Sequence, residues 1–324
     1  MLLSFYCCVN KWDAMKKVDG RTSETSSTQR PSQPQNTTIF EGTFVRVGLF
    51  RCAPEDDLFR NDRRALGYHI VFPRSSVAII YEGQPPVVTT PNLVMFYNEG
   101  QRYRREKVSD AGDICEYLTF APKVLLDTLR HYEPGIVERP ERPFSFTHRP
   151  SDAQSYLMQR LLVEHIRTET TVDPLYVEEV ALHVLARVIE RSGVGERRQQ
   201  ATAATVRAHE ALANDLKRLL ATRFQESLTL KEIATELYTS PYHLCRVFRS
   251  QTGQTIHRYR NQMRLRAGLD YVLQSERDLA SIALHLGYAS HSHFTNAFRR
   301  AFHKTPSELR RGLARAHLAQ IRKH

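Results

Sequence analysis

The sequence predicts an α+β protein of two domains. The first is an N-terminal β-barrel or sandwich with an antiparallel helix pair, the second a C-terminal all-α domain in which a long helix joins two helix-turn-helix units. Three observations predict it. Residues 38–120 alternate short β-prone runs with Gly, Pro, Asn and Asp. Residues 228–311 state one helical pattern twice. The charge is also divided: residues 1–201 hold 26 Lys/Arg and 26 Asp/Glu, whereas residues 202–324 hold 20 and 9, so the whole net charge of +11 lies with the repeat.

In chain order, residues 1–36 are rich in Ser, Thr, Gln and Pro after Asp19 and read as a disordered arm, with Met1 and Met15 both open as the start. The apolar opening is short and lacks a basic leader and a cleavage site. No apolar run reaches the ~20 residues of a membrane span, so no membrane partner is expected. Strands are predicted at Phe44–Phe50, Tyr68–Phe72, Val77–Tyr81, Val87–Thr89, Leu93–Tyr97 and Cys115–Phe120. Tyr68, Phe72, Tyr81, Phe96 and Tyr103 are candidates to line a ligand pocket, the alternative being that they fill the barrel. The Arg102–Lys107 run reads as a solvated turn or an acidic-ligand contact.

His69 is the one histidine between Thr38 and Phe120, too few for a catalytic metal, so no metal is expected. With no nucleophile–base pairing and no phosphate loop, neither catalytic residues nor a cofactor are expected, and the chain does not read as an enzyme. Five scattered cysteines suit a reduced cytoplasm. Residues 151–191 read as two amphipathic helices, capped by Ser151 and opened by Asp173-Pro174. They either form a homodimer interface or cover one side of the barrel. The first domain thus runs over 37–191, a linker over 192–205, the helical domain over 206–312 and a basic tail over 313–324.

Within the helical domain, Ile233-Ala234 matches Ile282-Ala283 at an offset of 49, and Leu244 and Phe248 match Phe294 and Phe298 at 50. The slip falls in the turn. Thr229, Ser240, Asp278 and Ser290 are helix caps, and Pro241 occupies a first helical position. The second helix of each unit, about 240–250 and 290–302, carries its polar side chains on the face away from its apolar stripe. Tyr242, His243, Arg246, His291, Ser292, Thr295, Asn296 and Arg299 are therefore expected to face DNA bases. Arg249, Arg258, Arg300, Lys304 and the helix starts at Thr255 and Thr305 are expected phosphate contacts. His291 and His293, two apart on a helix, point to different faces and do not chelate. A spacer helix from Thr255 to about Gln274 would measure ~30 Å, close to the ~34 Å between successive major-groove faces.

The residues Ile233-Ala234, Ser240-Pro241, His243-Leu244, Arg246, Phe248, Gly253, Arg264-Leu265-Arg266-Ala267, Ile282-Ala283, Gly287-Tyr288, Ser290, Ser292-His293-Phe294, Ala297-Phe298-Arg299, Phe302 and Pro306 resemble the DNA-binding domain of the AraC/XylS family of bacterial transcription regulators. Tyr238 departs from the Gly usual there, and Leu309 from an aromatic. The phrases Ile70–Arg74, Thr90–Gly100 and Ala111–Asp113 resemble the cupin-like sensor domains that precede this module. The resemblance implies a cytoplasmic, sequence-specific regulator of promoter DNA controlled by a small-molecule effector. Each chain would read two adjacent major-groove segments, with RNA polymerase as a partner if it activates.

Overall fold

The computed structural model describes residues 35–130, 132, 139–169, 172–190, 203–275 and 277–312. Nearly all of the expected arm, most of the linker and the whole basic tail lie outside these residues. Among the described residues, ten strands build two sheets. They are β1 (Gln35–Glu41), β2 (Val45–Cys52), β3 (Arg63–Arg64), β4 (His69–Pro73), β5 (Val77–Tyr81), β6 (Val87–Val88), β7 (Leu93–Tyr97), β8 (Arg102–Lys107), β9 (Asp113–Phe120) and β10 (His148–Pro150). The larger sheet runs β1-β2-β9-β4-β7-β10 and the smaller β3-β8-β5-β6, with every strand pair antiparallel.

A short helix α1 (Asp57–Arg60) follows β2, and α2 (Pro122–Arg130), α3 (Ala153–Thr168) and α4 (Pro174–Glu190) lie beside the sheets. The larger sheet is covered on both faces. Along β7, Val94 and Phe96 join the core shared with α2, α3 and α4, while Leu93, Met95 and Tyr97 join the core between the sheets. A strand buried on both sides reads as a continuous apolar run, as Leu-Val-Met-Phe-Tyr does.

Six predicted strands are present. β1, β3, β8, β10, α1 and α2 were not expected. Arg102–Lys107 is a strand rather than a turn: it pairs with β5, and its Arg105 is buried on Asp113 at 2.5 Å. That guanidinium also lies over the Phe50 ring at 4.7 Å, so packing and one buried carboxylate override a hydrophilic sequence. The α3 cap is Asp152, not Ser151, because its carboxylate accepts from the Gln154 and Ser155 amides.

The C-terminal part is helical: α5 (Ala203–Arg223), α6 (Leu230–Glu236), α7 (Pro241–Thr252), α8 (Ile256–Gln274), α9 (Leu279–His285), α10 (His291–Phe302) and a final turn over 306–312. Its first helix starts at Ala203, inside the expected linker. Two cores flank α8. Leu216, Leu220, Ile233, Leu244 and Phe248 pack with Tyr259 and Met263 on one side. Ile282, Leu286, Phe294, Phe298 and Phe302 pack with Leu265, Leu269 and Val272 on the other. The helix serving both cores is buried around most of its circumference.

Candidate nucleic-acid interface

Each helix-turn-helix begins with a closed cap. Thr229 and Glu232 form a reciprocal capping box at α6, and the Asp278 carboxylate accepts from the Ser281 amide at α9. Ser240 and Ser290 cap α7 and α10 through bonds from His243 N at 3.2 Å and His293 N at 3.1 Å. The turns share one geometry. Tyr238 N donates to Thr235 O and Thr239 N to Ala234 O; Gly287 N donates to Leu284 O and Tyr288 N to Ala283 O. Tyr238 and Gly287 are both left-handed, at φ +50° and +77°. The single extra residue of the second unit is therefore Ala289.

These caps and turns hold α7 and α10 with one apolar side inward: Leu244, Val247 and Phe248 in the first, Phe294, Phe298 and Phe302 in the second. The second stripe is a ladder of rings, with centroids 5.4 Å apart for Phe294–Phe298 and 4.6 Å for Phe298–Phe302. On the opposite side Arg246, His291, Ser292, Asn296 and Arg299 are exposed. So are Arg249, Arg258, Arg300 and Lys304. None of Arg246, Arg249, Arg258, Arg299, Arg300 and Lys304 forms an ion pair with a described residue, which leaves their charges available to phosphate.

Three expected contacts stand differently. His243 is half-buried, its ring 5.6 Å from that of His209 on α5, because the helix behind α7 comes close to its start. Thr295 is half-buried, its hydroxyl 3.3 Å from His291 Nε2. The helix start at Thr305 is taken by Glu308: its carboxylate accepts from Thr305 N at 2.7 Å and Oγ1 at 2.9 Å, which holds its pKa below the usual range and fills the place a phosphate would need. The start at Thr255 has no acidic residue in its first turn. The Tyr242 side chain lies outside the description.

The five ligand candidates do not line one cavity. Tyr68, Phe72 and Phe96 face the helices, while Tyr81 and Tyr103 lie on the inter-sheet side. Phe72 and Phe96 are carried by β4 and β7 of the larger sheet, on its helix-covered face, whereas Tyr81 and Tyr103 are carried by β5 and β8 of the smaller sheet, which meets the larger one on its other face. Tyr81 and Tyr103 do share a cleft of about 540 Å³ with Arg102, Gln84 and, from α5, Arg207 and Glu210.

Arg264 belongs to the family-like motif, but its role is not legible in the sequence. Its guanidinium donates to four carbonyls: Phe224 at 2.6 Å, Gly287 at 2.8 Å, Glu226 at 2.9 Å and Gln225 at 3.1 Å. It ties the end of α5 to the turn of the second unit. A helical Arg with no acidic residue three or four positions away is the only local signal of such a role.

Two capped amphipathic helices, each following a tight left-handed turn and each presenting unpaired cations, define a tandem helix-turn-helix DNA reader. A "Helix-turn-helix domain" family model matches residues 233–312. The chain is 33% identical over 106 residues to regulatory protein SoxS of Escherichia coli K12, a match covering 33% of this chain and 99% of that protein. It is 27% identical over 150 residues to the transcriptional activator RhaS of Klebsiella pneumoniae, covering 46% of this chain and 51% of the relative. Among solved structures, ToxT of Vibrio cholerae aligns at 15% identity and a TM-score of 0.33, covering 83% of this chain and 98% of ToxT. The chain belongs to the AraC/XylS family of bacterial DNA-binding transcription regulators.

Proposed function

We propose that the chain regulates a promoter by placing α7 and α10 in adjacent major-groove segments of one site, under the control of a small molecule bound by its β domain. The observation that carries the reading is the pair of exposed cationic helix faces mounted on one spacer. With 19 residues, α8 spans about 28 Å at ~1.5 Å per residue, near the ~34 Å repeat of the major groove. Arg246, Asn296 and Arg299 are the strongest base readers, since guanidinium and amide groups pair with purine edges in two-bond fashion. Arg249, Arg258, Arg300 and Lys304 position the protein on phosphates.

The division at 37–191 and 206–312 belongs to this reading, as do a cytosolic location and, for an activator, contact with RNA polymerase. Control by a small molecule is supported by the cleft that takes Tyr81, Arg102 and Tyr103 from the β domain and Arg207 and Glu210 from α5, because a ligand there touches both parts. The Leu175 and Tyr176 side chains, exposed at the start of α4, offer a face to a second copy. No described helix is long and apolar enough to cross a membrane. Selection of bound sequences from a random DNA pool, with and without metabolite mixtures, tests the reading. The expected product is a site with two conserved segments about one helical turn apart; a single short segment, or no enrichment, removes the paired insertion.

A further inference from the structure

By chain position α3 belongs to the β domain, yet its first turns lie in the core of the second helix-turn-helix. Tyr156 and Leu157 pack with Leu269, Phe294 and Phe298. Gln154 Nε2 donates to the Ala301 carbonyl of α10 at 2.9 Å. One turn on, the fully buried Arg160 donates from Nε to Asp270 Oδ1 at 3.1 Å and from Nη1 to Glu116 Oε1. Arg74 closes the ring, 2.7 Å from Glu116 Oε1 and 2.8 Å from Asp270 Oδ2. Gln159 Nε2 donates to the other Glu116 oxygen, Oε2, at 2.6 Å, and the Tyr156 hydroxyl shares Asp270 Oδ2 with Arg74 at 3.4 Å.

Asp270 sits on the spacer helix, and the two arginines that pair with it belong to the β domain. It does not stand alone. Tyr259, Arg266 and Asp270 are spaced seven and four apart, hence on one face of α8. The buried Arg266 donates to Asn92 Oδ1 at 2.5 Å and Ser151 O at 2.6 Å. The Tyr259 hydroxyl is 2.6 Å from Thr90 Oγ1, and its carbonyl accepts from Asn92 at 3.0 Å. Arg266 has no carboxylate in ion-pair range among the described residues, and burial draws its pKa down to about 10. Its charge is tolerated because oxygens of the β domain face it.

We propose that Asp270 and Arg266 are positioning residues for DNA reading, and that α3 is a strut through which the β domain fixes the second recognition helix but not the first. A balanced buried quartet of two guanidinium and two carboxylate groups adds little net stability, yet it docks in one register only. Removing one carboxylate strands a buried cation, so the Asp270 end of the face opens, while Tyr259, about three helical turns away, keeps its own bonds to Thr90 and Asn92. The half of the reader that follows is α10, whose core includes α3. The first recognition helix, α7, packs on α5 and α8 rather than on α3, and the β domain meets its core through Tyr259.

The inference rests on α10 entering DNA, so the test separates the two. Hydrogen exchange by mass spectrometry is followed in the full chain for wild type, Asp270→Asn, Asp270→Glu and the milder Gln154→Ala, which removes the bond from α3 to the Ala301 carbonyl. Asp270→Asn is expected to speed exchange in α3 and α10 by about tenfold or more while β2 and α7 stay unchanged, with Gln154→Ala acting in the same direction and Asp270→Glu near wild type. Binding to the selected site should weaken about tenfold, and base changes in the α10 segment should lose their effect while those in the α7 segment keep theirs. Unchanged exchange, equal loosening of β2 and α10, or equal loss of both base preferences overturns the strut. A chain that selects no sequence would sink the DNA reading, and the exchange pattern would still decide the strut.

Discussion

The two helix-turn-helix units share caps, turn geometry and stripe spacing, yet they are held in different ways. The first turn projects into solvent: Tyr238 is left-handed and 98% exposed. The second is pinned. A Cβ on Gly287 would strike the Gln225 carbonyl and lie 2.6 Å from Arg264 Nη2. The first unit leans on α5, whereas the second shares its core with α3 of the β domain. A duplicated motif thus keeps its internal signals while its surroundings decide which positions tolerate change.

Substitutions at matched positions test this contrast. Phe298→Ala should destabilise by about 3–5 kcal/mol, as expected for a large buried aromatic, and should also loosen α3. Phe248→Ala should cost a similar amount without reaching α3; denaturant unfolding with exchange at α3 reads both effects, and equal loosening of α3 would erase the distinction. Gly287→Ala should cost about 1–3 kcal/mol from the left-handed backbone alone, with the carbonyl contact adding to it, as thermal unfolding would register.

For DNA, Arg246→Ala should weaken the selected site by about 1–3 kcal/mol and relax one base preference, whereas Arg258→Ala should weaken all sequences alike and lower the salt slope by about one. Anisotropy titrations over a salt series separate the two. The smallest effect is expected for Tyr238→Gly. Relief of the left-handed strain offsets the entropy glycine gains in the unfolded chain, leaving stability within about 1 kcal/mol of wild type. A larger loss would mean that the exposed ring has a contact of its own in the folded protein.

The helical reader was legible in the residues alone. Ile233, Leu244, Phe248, Ile282, Phe294 and Phe298 are legible because helical spacing and caps are local, set by side chains three or four residues apart. The strands around Phe72, Tyr81 and Phe96 were legible too, as alternating or continuous apolar runs. Packing across the chain set which sheet and face each aromatic served, buried Arg105 on Asp113 and leaned His243 on His209. It alone decided the allegiance of α3, since Arg160 meets Asp270 across 110 residues and Arg266 meets Asn92 across 174. A buried charge is satisfied by whatever oxygen or nitrogen the fold brings within about 3 Å, and no periodicity in the chain records which partner that will be.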